Sequence, residues 1–296
     1  MRSDNLPLAV GTIILTVLAL SLGDALIKLT SGNFVIWQIF VIRSAIAIPC
    51  LVIYMAISAR ASLRIPASLL WTTIRSLLLV FMWVCYYVSL PHLSLSAAAA
   101  AYYTLPIFIT LFSAIITGET VSRTGWVAVF FGFFGVVLIL KPNVEDFNWY
   151  ALLPLFAAIL YALAMILTRT KCRSEHPLLL SLALNFSFVI VGGVTAAFIT
   201  TLSNEVREGF LLAPWAVMGS SQWLSMSLLA VAILIGSIGA AIAYQNGPSS
   251  VIGIFDFAYV GFAVVWSVLL FAEIPDIVSV AGMVLIVLAG VMSLSQ

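Results

Sequence analysis

Apolar residues run through this chain in long blocks, and polar residues fall mainly between them. Ten blocks stand out, near residues 7–30, 34–58, 67–90, 94–117, 123–141, 149–169, 178–201, 225–247, 249–272 and 275–294. Each approaches or exceeds the ~20 residues that a helix needs to cross a hydrocarbon layer. An open strand in lipid would leave backbone groups unpaired, so the blocks predict helices. The first block runs past Asp24 without a small-x-small cleavage site, and it reads as a membrane helix rather than a signal peptide. The expected fold class is an all-α integral membrane protein with ten transmembrane helices.

Composition narrows the function. Of 296 residues, 64% are hydrophobic and 8% charged. So few charges cannot cover the surface of a soluble protein of this size. Ten spans consume ~200 residues, which leaves no room for a separate soluble catalytic domain. A net charge of +1 lacks the basic stripe that a nucleic-acid binder needs. The three cysteines and two histidines form no zinc pattern, and no cofactor or metal is expected. Cys50 and Cys85 sit in apolar blocks as small hydrophobes, and Cys172, in a basic loop, reads as a passive thiol.

Ten spans place both termini on one side. The loops of that side carry Arg2, Arg60, Arg64, Arg123, Arg169, Lys171 and Arg173, against Lys28, Lys141 and Arg207 on the other. The excess predicts cytoplasmic termini, and the expected location is a bacterial-type inner membrane. Glu145, Asp146, Glu205 and Glu208 agree with an outer location. Trp37, Trp149 and Tyr150 at the outer ends, with Trp71 and Trp126 at the inner, form the expected interfacial belts. The connection near 202–224 reads as a short amphipathic piece lying along the outer interface.

The chain also repeats itself. Residues 105–119 read LPIFITLFSAIITGE and residues 259–273 read YVGFAVVWSVLLFAE. Both join an apolar span to a serine (Ser113, Ser267) and a closing glutamate (Glu119, Glu273). A glycine-spaced helix follows each, with Gly125, Gly132 and Gly135 in one and Gly282 and Gly290 in the other. Pro91 and Pro248 precede the two units, and the span holding Arg43 aligns with that holding Asn185. Two halves of five spans follow, residues 1–142 and 143–296. Five is odd, so the second half is inverted, and inverted repeats around a midplane cavity are typical of secondary transporters. Val260 stands where the first copy has Pro106, so a proline kink is expected in the first copy only.

Pro106, Gly118-Glu119, Ser122, Gly125, Gly132 and Gly135, with the partial copy ending at Glu273, resemble the EamA domains of the drug/metabolite transporter superfamily. The resemblance covers nearly the whole chain as two tandem domains, and is strongest to YddG-type exporters of aromatic and other neutral amino acids. It implies a ten-helix exporter of amino acids or related metabolites.

Charges at membrane depth are costly and face protein or water. At 1.5 Å per residue, Asp24 and Arg43 lie roughly 9 and 13 Å from the outer ends of their spans. Arg75 and Asp256 lie roughly 12 and 10 Å from the inner ends of theirs. The matched depths suggest two charge pairs, Asp24 with Arg43 and Arg75 with Asp256, acting as gates or as static structure; Asp24 could instead meet Lys28 one turn away. Arg75, Met82 and Tyr86 share one helix face, flanked by Trp83, and Tyr102 and Pro106 share another. Pro106 cannot donate to the Tyr102 carbonyl and should kink its helix. Tyr161 and Tyr244 also fall inside spans. A ring lined by tyrosine hydroxyls suits a zwitterion with an apolar side chain, although packing would place aromatics there too. Ala97–Ala101, Gly132/Gly135 and Gly236/Gly239 are small-residue faces for helix packing, and those of the fifth and tenth spans could support a homodimer; the chain is expected to be a monomer or homodimer.

These readings favour a secondary transporter that exports amino acids by alternating access, with the bilayer and a small molecule as its partners. No G-x-x-x-x-G-K motif is present for direct ATP drive. The alternatives are export of a nucleoside, vitamin or cationic drug and, more distantly, a membrane-embedded enzyme or a channel, which would need clustered acids and histidines or a filter motif.

Overall fold

The computed structural model describes residues 4–30, 34–59, 65–89, 92, 101–140, 149–271 and 276–293. Among them the regular elements are all helical. In chain order they are α1 (Leu6–Thr30), α2 (Ile36–Ser58), α3 (Leu69–Ser89), α4 (Leu105–Phe112), α5 (Arg123–Leu140), α6 (Leu152–Thr170), α7 (Pro177–Thr200), α8 (Ser220–Asn246), α9 (Ser249–Phe255), α10 (Ala258–Phe271) and α11 (Ile277–Ser293). Seven helical stretches are long and apolar enough to cross a membrane: α1, α2, α3, α6, α7, α8, and α9 with α10 taken together. Three shorter apolar stretches accompany them, Leu105–Thr117, Arg123–Leu138 and Val280–Ala289. Arg2, Arg60, Arg64, Pro91, Ala97–Ala100, Lys141, Glu145, Asp146 and Glu273 lie outside the described residues, as do the side chains of Lys28 and Ser267.

Small residues set the helix contacts, as lipid-embedded packing requires. A Cβ on Gly239 would lie 2.1 Å from Thr16 Oγ1, and one on Gly236 would lie 2.5 Å from Leu20, so α1 and α8 touch almost backbone to backbone. A Cβ on Gly135 would meet the Gly282 carbonyl of α11 at 2.6 Å, and Gly132 lies against the Phe257 ring. The glycine face of α5 is therefore filled within the chain, as helix packing, rather than left for a homodimer. The outer faces of this helix pair are apolar instead, with Phe130, Phe134, Val287 and Val291 exposed.

Two interruptions shape the centre. The chain turns at Tyr103–Thr104 before α4, whose first turn holds Pro106. It turns again at Asp256–Phe257, between α9 and α10. The second break corrects the expectation that the copy without proline would run straight. It comes from packing: the Asp256 carboxylate is held by Tyr244 of α8, and Phe257 is fully buried against α5. Beyond α4, a wider turn (Ser113–Thr117) ends at Gly118 with φ 70°, a left-handed conformation that favours glycine. That turn delivers Glu119 to Ser113.

The loop after α7 crosses to α2. Trp37 Nε1 donates to the Leu211 carbonyl at 2.8 Å, and the Gln38 amide exchanges bonds of 2.8 and 2.9 Å with Ala216. A short helical turn, Gly209–Leu212, carries Phe210 edge-on to Tyr87. The loop is thus pinned to α2. At the opposite end Asp4 meets Arg169 in two bonds of 2.7 and 2.8 Å and also Arg173. Arg169 Nε lies 3.7 Å from Glu119. Gln245 donates to the carbonyls of Cys172 (2.7 Å) and Glu175 (2.9 Å).

Candidate functional site

A cavity opens between the two breaks, with about 790 Å³ of space among its lining atoms, part of it open to solvent. One face of α3 supplies Arg75, Leu79, Met82, Trp83 and Tyr86, at the three- and four-residue spacing of a helix stripe. Tyr161 and Met165 come from α6, and Gly236 and Ser237 from α8. The breaks present Tyr102 and Tyr103 on one side and Asp256 and Tyr259 on the other; Asp24 enters from α1.

The cavity brings together Arg75, Met82, Trp83, Tyr86, Tyr102, Tyr161 and Asp256 of the residues singled out in the sequence. It does not include Tyr244, which is fully buried behind the wall and donates to Asp256. Tyr103 and Tyr259 were missed. Both lie at the breaks, where the helical phase changes, and Tyr259 opens the repeated segment itself. The rings form a continuous wall: Tyr86 and Tyr102 have centroids 5.1 Å apart, Tyr102 and Tyr161 6.5 Å, and Tyr103 and Tyr259 5.2 Å. The Tyr102 hydroxyl also points at Met82 Sδ, 3.8 Å away.

The charges are arranged differently from the depth-matched pairs. No ion pair within 4.0 Å joins Asp24 to Arg43 or Arg75 to Asp256 among the described residues. Both Asp24 oxygens instead accept from tyrosines, Oδ1 from Tyr87 at 3.4 Å and Oδ2 from Tyr259. Asp256 Oδ2 accepts from Tyr244. Arg43 is packed among rings, its guanidinium carbon 4.5 Å from the Phe188 centroid, 5.1 Å from Phe40 and 5.9 Å from Trp83, a cation–π cage. Arg75 is fully buried; its Nε donates to Thr168 Oγ1 at 2.7 Å, while Nη1 and Nη2 have no partner. The arrangement can therefore receive a polar group with charges of both signs against an aromatic wall. Cys172, expected in a loop, is buried near Thr72, and burial pushes its thiol pKa up, which keeps it protonated and unreactive.

Residues 7–141 match the EamA-like transporter family. The chain is 26% identical over 283 residues to a pseudopaline exporter of Pseudomonas aeruginosa, covering 94% of this chain and 93% of that one. It is 25% identical to an S-adenosylmethionine uptake transporter of Rickettsia felis, over 72% of this chain and 68% of that one. A riboflavin transporter of Rhizobium johnstonii is 30% identical over 39% of this chain and 41% of its own. A crystal structure of a protein superposes with a TM-score of 0.76 at 17% identity, covering 97% of this chain and 95% of that one, which shows a shared fold. The chain thus reads as a multi-pass membrane protein whose residues 7–141 are similar to the EamA-like transporter family.

Proposed function

We propose that this protein is a secondary transporter that exports amino acids, aromatic and other neutral ones included, across the bacterial inner membrane by alternating access. In this reading the chain is built of two inverted five-helix repeats, residues 1–142 and 143–296, with cytoplasmic termini, and the cavity is the substrate site. One observation carries it: a single aromatic-walled cavity presents a guanidinium and a carboxylate that do not pair with each other. A zwitterion with an apolar side chain complements that wall. The match of the two breaks to the sequence repeat supports the two-repeat arrangement. In this proposal Arg75, Met82, Trp83, Tyr86, Tyr102, Tyr161 and Asp256 touch substrate, and Tyr244 positions Asp256.

A second reading, transport of another metabolite such as a vitamin, is favoured by the names of the riboflavin and S-adenosylmethionine relatives. Uptake of a panel of labelled amino acids and labelled riboflavin into proteoliposomes, with and without a pH gradient, decides between them. Accumulation of amino acids over empty liposomes is the expected result. Indifference to every amino acid tested would overturn the proposal.

A further inference from the structure

Arg75 sits in a place that elementary electrostatics makes expensive. A buried guanidinium without a counter-charge loses its hydration and gains little in return. Its Nε is fixed by Thr168, which in turn donates to the Ala164 carbonyl one turn back in α6. The fork is therefore held in place while both terminal nitrogens, Nη1 and Nη2, are buried with no hydrogen-bond partner among the described residues, on a residue that lines the cavity. Two parallel N–H donors in a fixed plane match the two oxygens of a carboxylate. Asp256 offers the complement. Tyr244 occupies Oδ2, and Oδ1 accepts no hydrogen bond from any described residue. Tyr161 lines the same cavity as Arg75 and Asp256. Asp24 differs, since both of its oxygens already accept from tyrosines. Arg43 differs too, being caged by rings and absent from the cavity lining.

From these contrasts we infer that Arg75, held by Thr168, is the carboxylate subsite of the cavity, that Asp256 takes the cationic nitrogen, and that the ligand must carry a free α-amino acid head. The inference rests on the transporter reading above and adds the polarity with which substrate enters. It excludes esters, amides and decarboxylated amines, whatever their side chain. Among the molecules named for the relatives, it favours S-adenosylmethionine, which keeps such a head, over riboflavin, which has none.

The test is competition in proteoliposomes loaded with the best-transported labelled amino acid. Unlabelled amino acid, its methyl ester, its amide and its decarboxylated amine are added in turn. The free acid should compete at least ten-fold better than the other three. Arg75→Gln should abolish that preference, Arg75→Lys should keep part of it, and Thr168→Val should weaken it several-fold while leaving the charge in place. Asp256→Asn should reduce competition by acids bearing an α-ammonium and leave a des-amino acid unaffected. Equal competition by acid, ester and amide in the wild-type protein would overturn the inference even if the Arg75 variants failed to fold. Failure of the wild-type protein to move any amino acid would instead sink the transporter reading itself, so the two failures are told apart.

Discussion

The two ends of the helix bundle are closed by different chemistry. At the end near Asp4, charged side chains meet charged side chains, Asp4 with Arg169 and Arg173 and Arg169 toward Glu119, beside the Gln245 bonds to the Cys172 and Glu175 carbonyls. At the other end, side chains meet backbone: Trp37 and Gln38 tie the 209–216 loop to α2, and Arg207 donates to the Leu202 carbonyl. An ion-pair closure answers to pH and salt, whereas an amide-to-backbone closure answers to neither. The protein therefore has one end that its surroundings can loosen and one that only a change of contacts can.

The largest effect should come from breaking what both ends share. Gly239→Val drives a side chain into Thr16 at the α1–α8 contact, and overpacking there should cost about 1–3 kcal/mol or more. Thermal unfolding in detergent should show a clear fall in midpoint, and an unchanged midpoint would mean that α1 and α8 do not hold the ends in register. Next, Arg169→Ala takes one of two arginines from Asp4 and the cation beside Glu119; a loss of about 1 kcal/mol is expected from these partly exposed charges. Thermal unfolding in detergent should show the smaller fall in midpoint. Gln38→Ala, at the other end, leaves the Ala216 N–H unpaired and should cost about 1 kcal/mol by the same measurement.

The smallest effect is the most discriminating. Hydrogen bonding to Arg169 holds the Asp4 carboxyl below its ordinary value, ahead of the opposing effect of burial. A group lowered on folding contributes stability that is complete above about pH 5 and is lost as pH falls through the lowered value. Because Asp4 is partly exposed, solvent screening limits the contribution to under about 1 kcal/mol. Acidification from pH 5 to pH 3 should lower the wild-type midpoint more than that of Asp4→Asn. In Gln38→Ala the acid response should match the wild type, and a shared response in all three would assign it elsewhere.

Most of the site was legible before any coordinates because a helix converts spacing into direction. Arg75, Met82, Trp83 and Tyr86 occupy one stripe of α3, and that stripe faces the cavity. The charge pairs were not legible for a related reason. Counting residues from a helix end gives depth along the membrane normal, but says nothing of the angle around the bundle. Arg43 and Asp24 share a depth, yet rings surround Arg43 and hydroxyls hold Asp24. The second break was hidden as well, because no proline marks it; Tyr244 and the pocket for Phe257 lie far from it in sequence or on other helices. The small-residue faces were visible as contact surfaces, but only the fold shows that Gly135 finds its partner within the same chain.

The turn at Asp256–Phe257 has an electrical consequence. A continuous helix adds its peptide dipoles end to end and shows its poles only at the two membrane surfaces. Cutting it there brings the negative pole of α9, roughly half an elementary charge, to the cavity, beside the positive pole of α10. These poles belong to the backbone, so no proton can discharge them. A molecule entering the cavity meets a fixed field whose direction is set by the path of the chain, and a chain that keeps this turn keeps that field.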